Sequence, residues 1–160
     1  MENDNAETQL RELERAEAAP YLEYRVSKWW APGFALWFGF LVAALDYVWA
    51  TRGEGGPARS IVVVGIMIIL AVTLGMGIRW YQHYNGTWPA FFGNKPPEIT
   101  RAYARYSIGV AILVPVIIAV AYFAPWWASG LVTFGLVFVQ LHRYSRFYDA
   151  AAAAAKARLG

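Results

Sequence analysis

The sequence predicts an all-α integral membrane protein: a bundle of four transmembrane helices arranged as two antiparallel hairpins. Hydrophobic residues make up 58% of the 160 residues and charged residues only 16%, and the charges fall between apolar runs. Residues 60–78 carry no charge, and a run of this length can cross the hydrocarbon core of a bilayer as one helix. Trp residues gather at the ends of the apolar runs, where amphipathic rings lie at headgroup level.

The N-terminal segment, residues 1–28, is predicted to be a cytoplasmic helix followed by a linker. It is acidic and polar and has no apolar stretch of the kind that a signal peptide needs, so we expect it to be retained. Leu10 and Leu13 give this helix a thin apolar edge. A solvated helix lying beside the membrane is therefore favoured, and a helix that binds a partner is the alternative.

The transmembrane domain is predicted to cover residues 29–148 and to begin with a span over residues 31–50. Within this span Gly39, Ala43 and Asp46 are spaced i, i+4 and i+7, which places them on one helix face. The second predicted span, residues 60–80, repeats the small-residue spacing at Ala71 and Gly75. Because small residues let helix backbones approach closely, we expect the first two spans to pack as a hairpin.

The third span is predicted over residues 106–123, with Pro115 near its middle. Proline lacks the N–H that bonds the carbonyl four residues earlier, so this position predicts a kink. The hydroxyl of Thr73 or Thr133 is expected to bond the freed carbonyl, which would make the kink a fixed packing feature. A hinge between two bundle shapes is the alternative.

The second hairpin is predicted to close through a tight turn over residues 124–130 into a fourth span over residues 127–145. The apolar stretch of that span is short. The span is expected to cross the membrane with polar side chains at its ends that snorkel to the interface. Residues 149–160 are predicted to continue it into water as a cytoplasmic Ala-rich helix, because Ala has the highest helix propensity.

The distribution of basic residues predicts that both termini are cytoplasmic. With four spans, twelve of the fourteen Lys and Arg residues fall on the side of the termini, and only Arg52 and Arg59 fall on the other. On the basic side, Arg79, Arg143 and Arg146 are expected to contact anionic lipid headgroups. The net charge of +3 is explained by this arrangement, so nucleic-acid binding is not expected.

Asp46 is the candidate functional residue, because it is the one carboxylate inside an apolar run and such groups often mark an ion pathway. It lies about 24 Å along the helix from Trp30, close to the outer headgroups, where water, Arg52 or Arg59 can satisfy it. A structural role is therefore favoured, and a proton or cation site is the alternative. His83 and His142 lie at equivalent helix ends, but in polar surroundings that favour a solvated role over haem or metal ligation.

The sequence offers no recognisable catalytic chemistry. It contains no Cys, which excludes thiol catalysis, Cys-ligated zinc and iron–sulfur clusters. Phosphate-binding loops, zinc-protease spacings and nucleophile elbows are also missing from it. We therefore expect a protein that is not an enzyme and that needs no cofactor.

Three short segments carry a resemblance in layout. They are the Glu/Arg/Ala-rich N-terminal helix ending in Ala19-Pro20-Tyr21, the Trp29-Trp30-Ala31-Pro32 start of the first span, and the Arg79-Trp80-Tyr81 exit that leads to Asn85-Gly86-Thr87-Trp88-Pro89. In these the chain resembles small four-helix integral membrane proteins of unassigned function from high-GC Gram-positive bacteria. The resemblance implies a multi-pass protein of a bacterial inner (plasma) membrane and implies no activity.

Taken together, these features predict a non-enzymatic membrane subunit or interaction protein. Its small-residue helix faces are expected to pack against a membrane protein partner or a second copy, with membrane lipids around them. The alternative is a small dimeric transporter or channel for a proton or cation, in which Asp46 would line the path.

Overall fold

The computed structural model describes residues 2–22, 28–53, 56–85 and 95–159, and this part of the chain forms five α-helices. The all-helical prediction is therefore confirmed. The helices in chain order are α1 (Glu2–Leu22), α2 (Trp30–Ala50), α3 (Pro57–Asn85), α4 (Pro97–Phe123) and α5 (Trp126–Leu159). We call the end of the bundle that carries α1 and the C-terminal part of α5 the terminal end. The opposite end, with the α2–α3 and α4–α5 connections, is the turn end.

The 34-residue α5 is the helix against which the others pack: α2 and α4 lie along it, and α1 contacts its C-terminal part. Most of its buried residues are three, four or seven positions apart, spacings that keep them on a single helix face. They are small near the turn end, larger from Val137 to Tyr148 and small again in the tail, and the set is Ser129, Gly130, Thr133, Val137, Leu141, Tyr148 and Ala155.

Two apolar clusters hold this arrangement together. The first joins α2, α4 and α5 through Ala35, Ile117, Val137 and Leu141, and partly buried Phe side chains of α2 and α5 surround it. The second lies at the terminal end, where residues from three different helices meet, namely Tyr21, Ile99 and Tyr148. Between them the clusters account for the packing of α1, α2, α4 and α5.

The prediction that the first two spans form a packed hairpin is wrong. Helix α3 contacts α2 only sparsely, and none of its described side chains is buried. Instead, α2 packs along α5, because Gly39 on α2 and Gly130 on α5 let these two backbones approach. The second expected hairpin, α4 with α5, is present as a packed pair.

Three of the helices are long and apolar enough to cross a membrane: residues Trp30–Ala50, Arg59–Trp80 and Pro97–Phe123. They correspond to the first three predicted spans. Helix α5 is not among them, since its apolar stretch is soon followed by Gln140, His142 and Arg143. The fourth crossing, over residues 127–145, stays a prediction.

The turn at the end of α4 is shorter than the sequence suggested. Helix α4 ends at Phe123 and α5 begins at Trp126, so Ser129 and Gly130 lie inside a helix and not in a turn over residues 124–130. Pro125 starts the new helix, because its carbonyl accepts the first backbone bonds, from the N–H groups of Ala128 and Ser129. This change brings both small residues into the contact with α2.

Helix α5 continues through the predicted Ala-rich tail to Leu159, and α1 packs against it. Ala155 is fully buried, and so is Ala18 on α1. Ala151 and Ala152 pack beside the cluster at the terminal end. The run of Ala has a packing role as well as a high helix propensity, because its short side chains let α5 lie close to its neighbours.

Candidate functional site

Asp46 lies at the turn end of the α2–α5 contact. The Ser129 hydroxyl donates a hydrogen bond to Asp46 Oδ2 at 2.8 Å, and the Asp46 side chain is partly buried. The stripe of Gly39, Ala43 and Asp46 faces α5 along its length: a Cβ on Gly130 would lie 2.7 Å from the Cβ of Ala43. The carboxylate therefore belongs to a helix contact and is held by a hydroxyl across it.

The two arginines expected to satisfy Asp46 have other partners. Arg59 donates to the carbonyls of Val48 and Arg52, at 3.1 and 3.2 Å, and so caps the C-terminal end of α2. The Arg52 guanidinium lies over the Trp49 ring, 4.7 Å from its centroid. Across residues 28–53 and 56–85, no basic side chain pairs with Asp46, so neither arginine offered as a possible partner satisfies it.

Helix α3 presents a long apolar surface that the described chain leaves uncovered. Its exposed large residues occur on all sides of the helix, and they are Ile61, Val62, Val64, Met67, Ile68, Ile69, Val72, Leu74, Met76, Ile78 and Trp80. The small residues expected to pack against α2, Ala71 and Gly75, are exposed, and a Cβ on Gly75 would meet nothing within 4 Å. That part of the helix-packing prediction is wrong for contacts within the chain.

The face of α3 that does approach α2 is a different one. The Trp37 indole donates a hydrogen bond to the Thr73 hydroxyl at 2.7 Å, which ties the two helices at one point. Toward the terminal end the helices separate and leave a groove of about 650 Å³. The groove is lined mainly by aromatic and small apolar residues, among them Trp29, Trp30, Phe34, Gly77 and Trp80.

The terminal end carries an ionic link between three helices. Arg158 on α5 pairs with Glu14 on α1 at 2.7 Å and with Glu98 on α4 at 3.0 Å. These bonds, first that to Glu14 and then that to Glu98, raise the pKa of Arg158 above its usual value. Beneath them the Tyr148 hydroxyl donates to the carbonyl of Tyr21 at 2.8 Å.

Tyr21 is packed into this end of the bundle. Its burial raises the pKa of its hydroxyl, and Tyr103 makes a smaller contribution in the same direction. At the terminal end α1 and the tail of α5 therefore form a joint surface with the start of α4.

Pro115 lies on an exposed face of α4, and the helix continues through it from Pro97 to Phe123. Neither of the two threonines predicted to bond the carbonyl that Pro115 leaves free does so. Thr73 donates to its own helix, with its oxygen 2.6 Å from the Ile69 carbonyl and 3.2 Å from that of Leu70. Thr133 is fully buried on α5, and its hydroxyl has no hydrogen-bond partner in the described part of the chain.

The remaining candidates are on the surface. Arg79, Arg143 and Arg146 are exposed at the terminal end, and so are His83 and His142. The His142 ring stacks on Phe138, with centroids 6.1 Å apart. Among the residues that the structure describes, no three or more His, Asp or Glu side chains gather in a way that could hold a metal ion.

Ser129 and Gly130 are the contact residues that the sequence reasoning missed. Their signal was present, because Ser129, Thr133, Val137 and Leu141 follow a spacing of four, the period of one helix face. It was obscured by the preceding Pro125 and the two Trp residues, which suggested a turn.

No known protein family matches this sequence, and no curated protein or solved structure is significantly similar to it.

Proposed function

We propose that this protein is a non-enzymatic integral membrane subunit that binds another membrane protein, or a second copy of itself, through α3. The observation that carries the proposal is that α3 is long and apolar enough to span a membrane, while none of its described side chains is buried within its own chain. The other helices of the bundle pack on α5, so α3 is the element left available for a contact outside the chain.

The face of α3 best suited to such a contact contains Ala71 and Gly75. Inside a bilayer, helices associate through close van der Waals packing, since lipid is as apolar as the helices themselves, and small residues spaced by four allow the closest approach. Gly75 and Gly77 are two positions apart and so lie on nearly opposite sides of the helix. Gly75 is therefore turned away from the wall of the groove that Gly77 forms.

In this proposal α5 completes a four-span topology in a bacterial inner membrane, with both termini cytoplasmic. Support comes from the charge distribution: with four spans, twelve of the fourteen basic residues in the sequence fall on the side of the termini. Support for the fourth crossing comes from the close packing of α5 on α2 and α4, two helices that are apolar enough to span. The layout it shares with small membrane proteins of high-GC Gram-positive bacteria fits the same compartment.

The transport alternative depends on Asp46, and the geometry favours a structural role for that residue. Its carboxylate accepts a bond from Ser129 and ends a row of close helix contacts. Asp46→Asn in liposomes separates the two roles. We expect any proton or cation flux to be the same for this variant and the wild type, whereas loss of a pH-dependent flux in a folded variant would establish the transport function.

Purification in mild detergent, followed by mass determination of the particle, tests the proposed function. The wild type is expected as a dimer or with a co-purifying protein, and Gly75→Leu as a bare monomer. The substitution is informative because a side chain at Gly75 meets nothing in the chain itself, so it leaves the monomer fold intact. Gly77→Leu is the matched control, since Gly77 is equally free of contacts but lies on nearly the opposite side of α3. A wild-type monomer with no associated protein would contradict the proposal.

A further inference from the structure

A small basic pocket lies between α4 and α5 near the terminal end. It has a volume of about 200 Å³, and both helices contribute to its lining. The polar and charged residues around it are Arg105 and Tyr106 from α4 and Gln140, Arg143 and Tyr144 from α5. None of these residues takes part in the α3 surface or in the contact around Asp46.

The inner wall of the pocket is fixed by a close contact between the two helices. The Gln140 amide donates a hydrogen bond to the carbonyl of Tyr106 at 3.3 Å. A Cβ on Gly109 would overlap the Gln140 side chain, so glycine at this position is what lets the amide reach the α4 backbone. The Tyr106 and Tyr144 rings meet beside it, with centroids 4.5 Å apart.

The two arginines at the pocket come from different helices and carry uncompensated charge. The Arg105 guanidinium is held over the Phe147 ring, 5.5 Å from its centroid. No carboxylate in the described ranges pairs with Arg105 or with Arg143. Two unpaired guanidinium groups facing one cavity favour an anion there, and their planar forks match the oxygens of a phosphate.

The depth of the pocket indicates which phosphate it meets. It lies where the apolar part of α4 begins and that of α5 ends, with tyrosines at the same level, as is typical of the headgroup region. Basic pockets between membrane helices at this depth suit the headgroups of anionic phospholipids. We propose that the Arg105 and Arg143 pocket binds the phosphate of an anionic phospholipid, as a defined site distinct from the general attraction of surface arginines to the membrane.

Native mass spectrometry of the full chain, released from membranes containing phosphatidylglycerol and phosphatidylcholine, tests this site. We expect the wild type to retain phosphatidylglycerol, and Arg105→Gln with Arg143→Gln to bind it at least about tenfold more weakly. The matched control is Arg79→Gln with Arg146→Gln, which removes the same charge from exposed positions that do not line the pocket. It is expected to retain the lipid as the wild type does.

Two further measurements keep the result decisive. Arg105→Lys with Arg143→Lys preserves the charge but not the guanidinium forks, and should lose most of the retained lipid. Retention at the wild-type level in this variant, or equal losses in both glutamine pairs, would assign the binding to net charge and overturn the proposal. Inorganic phosphate added at millimolar concentration should not displace the lipid, whereas displacement would identify a site for the free anion.

Discussion

At the scale of single residues, two glycines set the separation of α2 and α5. A Cβ on Gly39 would lie 2.7 Å from the Gly130 carbonyl oxygen and 2.9 Å from the Phe134 Cβ, and neither a backbone oxygen nor a Cβ can move without moving its helix. The crossing of these helices therefore depends on the absence of a side chain at both positions, and the position of the Asp46–Ser129 hydrogen bond depends on the crossing.

Gly39→Ala should lower the free energy of unfolding by about 1–3 kcal/mol, the usual cost of forcing an extra methyl into a packed contact. Reversible unfolding in mixed detergent micelles measures this. Gly33→Ala is the matched control on the same helix, because a Cβ there meets nothing within 4 Å. It should be as stable as the wild type or slightly more so, since Ala favours a helix over Gly. Equal stabilities for the two variants would refute the close crossing.

Ser129→Ala should destabilise the bundle by about 1–3 kcal/mol, because it leaves the partly buried Asp46 carboxylate without its hydroxyl donor. Asp46→Asn should cost less, since the amide oxygen can still accept the same bond. The two single variants and the double variant form a thermodynamic cycle that isolates the pair. An interaction free energy near zero would show that the two side chains act independently.

At the scale of helices, Pro115 lies in the middle of α4 and on its exposed face. Pro115→Ala restores the N–H that bonds the Ala111 carbonyl and adds no contact on the exposed face. The variant should unfold at an equal or higher temperature and keep its oligomeric state. Thermal unfolding followed by circular dichroism measures this, with the exposed neighbour Val116→Ala as the control. A large loss of stability would contradict a passive role for the proline.

The tail of α5 and α1 form one packed element, joined by the fully buried Ala155 and Ala18 and by the bonds of Arg158. Exposed ion pairs contribute little stability on their own, so the buried alanines should matter more. Ala155→Leu is expected to displace α1 and to speed tryptic cleavage at Arg11 and Arg15 severalfold. Ala154→Leu, at an exposed position one residue earlier, should leave the cleavage rate unchanged. Equal rates for both variants would contradict the packing of the tail.

Apolar runs were sufficient to predict three helices that can span a membrane, because length and hydropathy decide that property locally. The bounds were less exact: the third span was predicted to begin at residue 106, whereas α4 begins at Pro97, a residue that fits the first position of a helix. Which helix packs against which could not be predicted from the sequence. Small-residue spacing occurs both at Gly39 and Ala43 and at Ala71 and Gly75, but only the first pair faces a complementary helix, and complementarity depends on two distant segments at once.

At the scale of the whole molecule, the bundle is asymmetric about α5. Helices α1, α2 and α4 bury residues against it or beside it, while α3 stands apart and touches α2 at few points. The sequence suggested two hairpins because a short connection joins the apolar runs in each pair, residues 52–59 in the first and 124–130 in the second. The asymmetry arises from packing, because α5 has a continuous buried stripe from Ser129 to Ala155 and α3 has none.

The central claim is that α3 contacts protein outside its own chain. Site-specific photo-crosslinking in native membranes tests it, with a photoreactive residue replacing Ile68 beside the Ala71 and Gly75 face. The control replaces Ile118 on α4, since both isoleucines are well exposed, at 57% and 64%. The account predicts a discrete protein adduct from position 68, of twice the chain's mass or of a fixed larger mass, and only lipid adducts from position 118. Lipid adducts alone from both positions would contradict it.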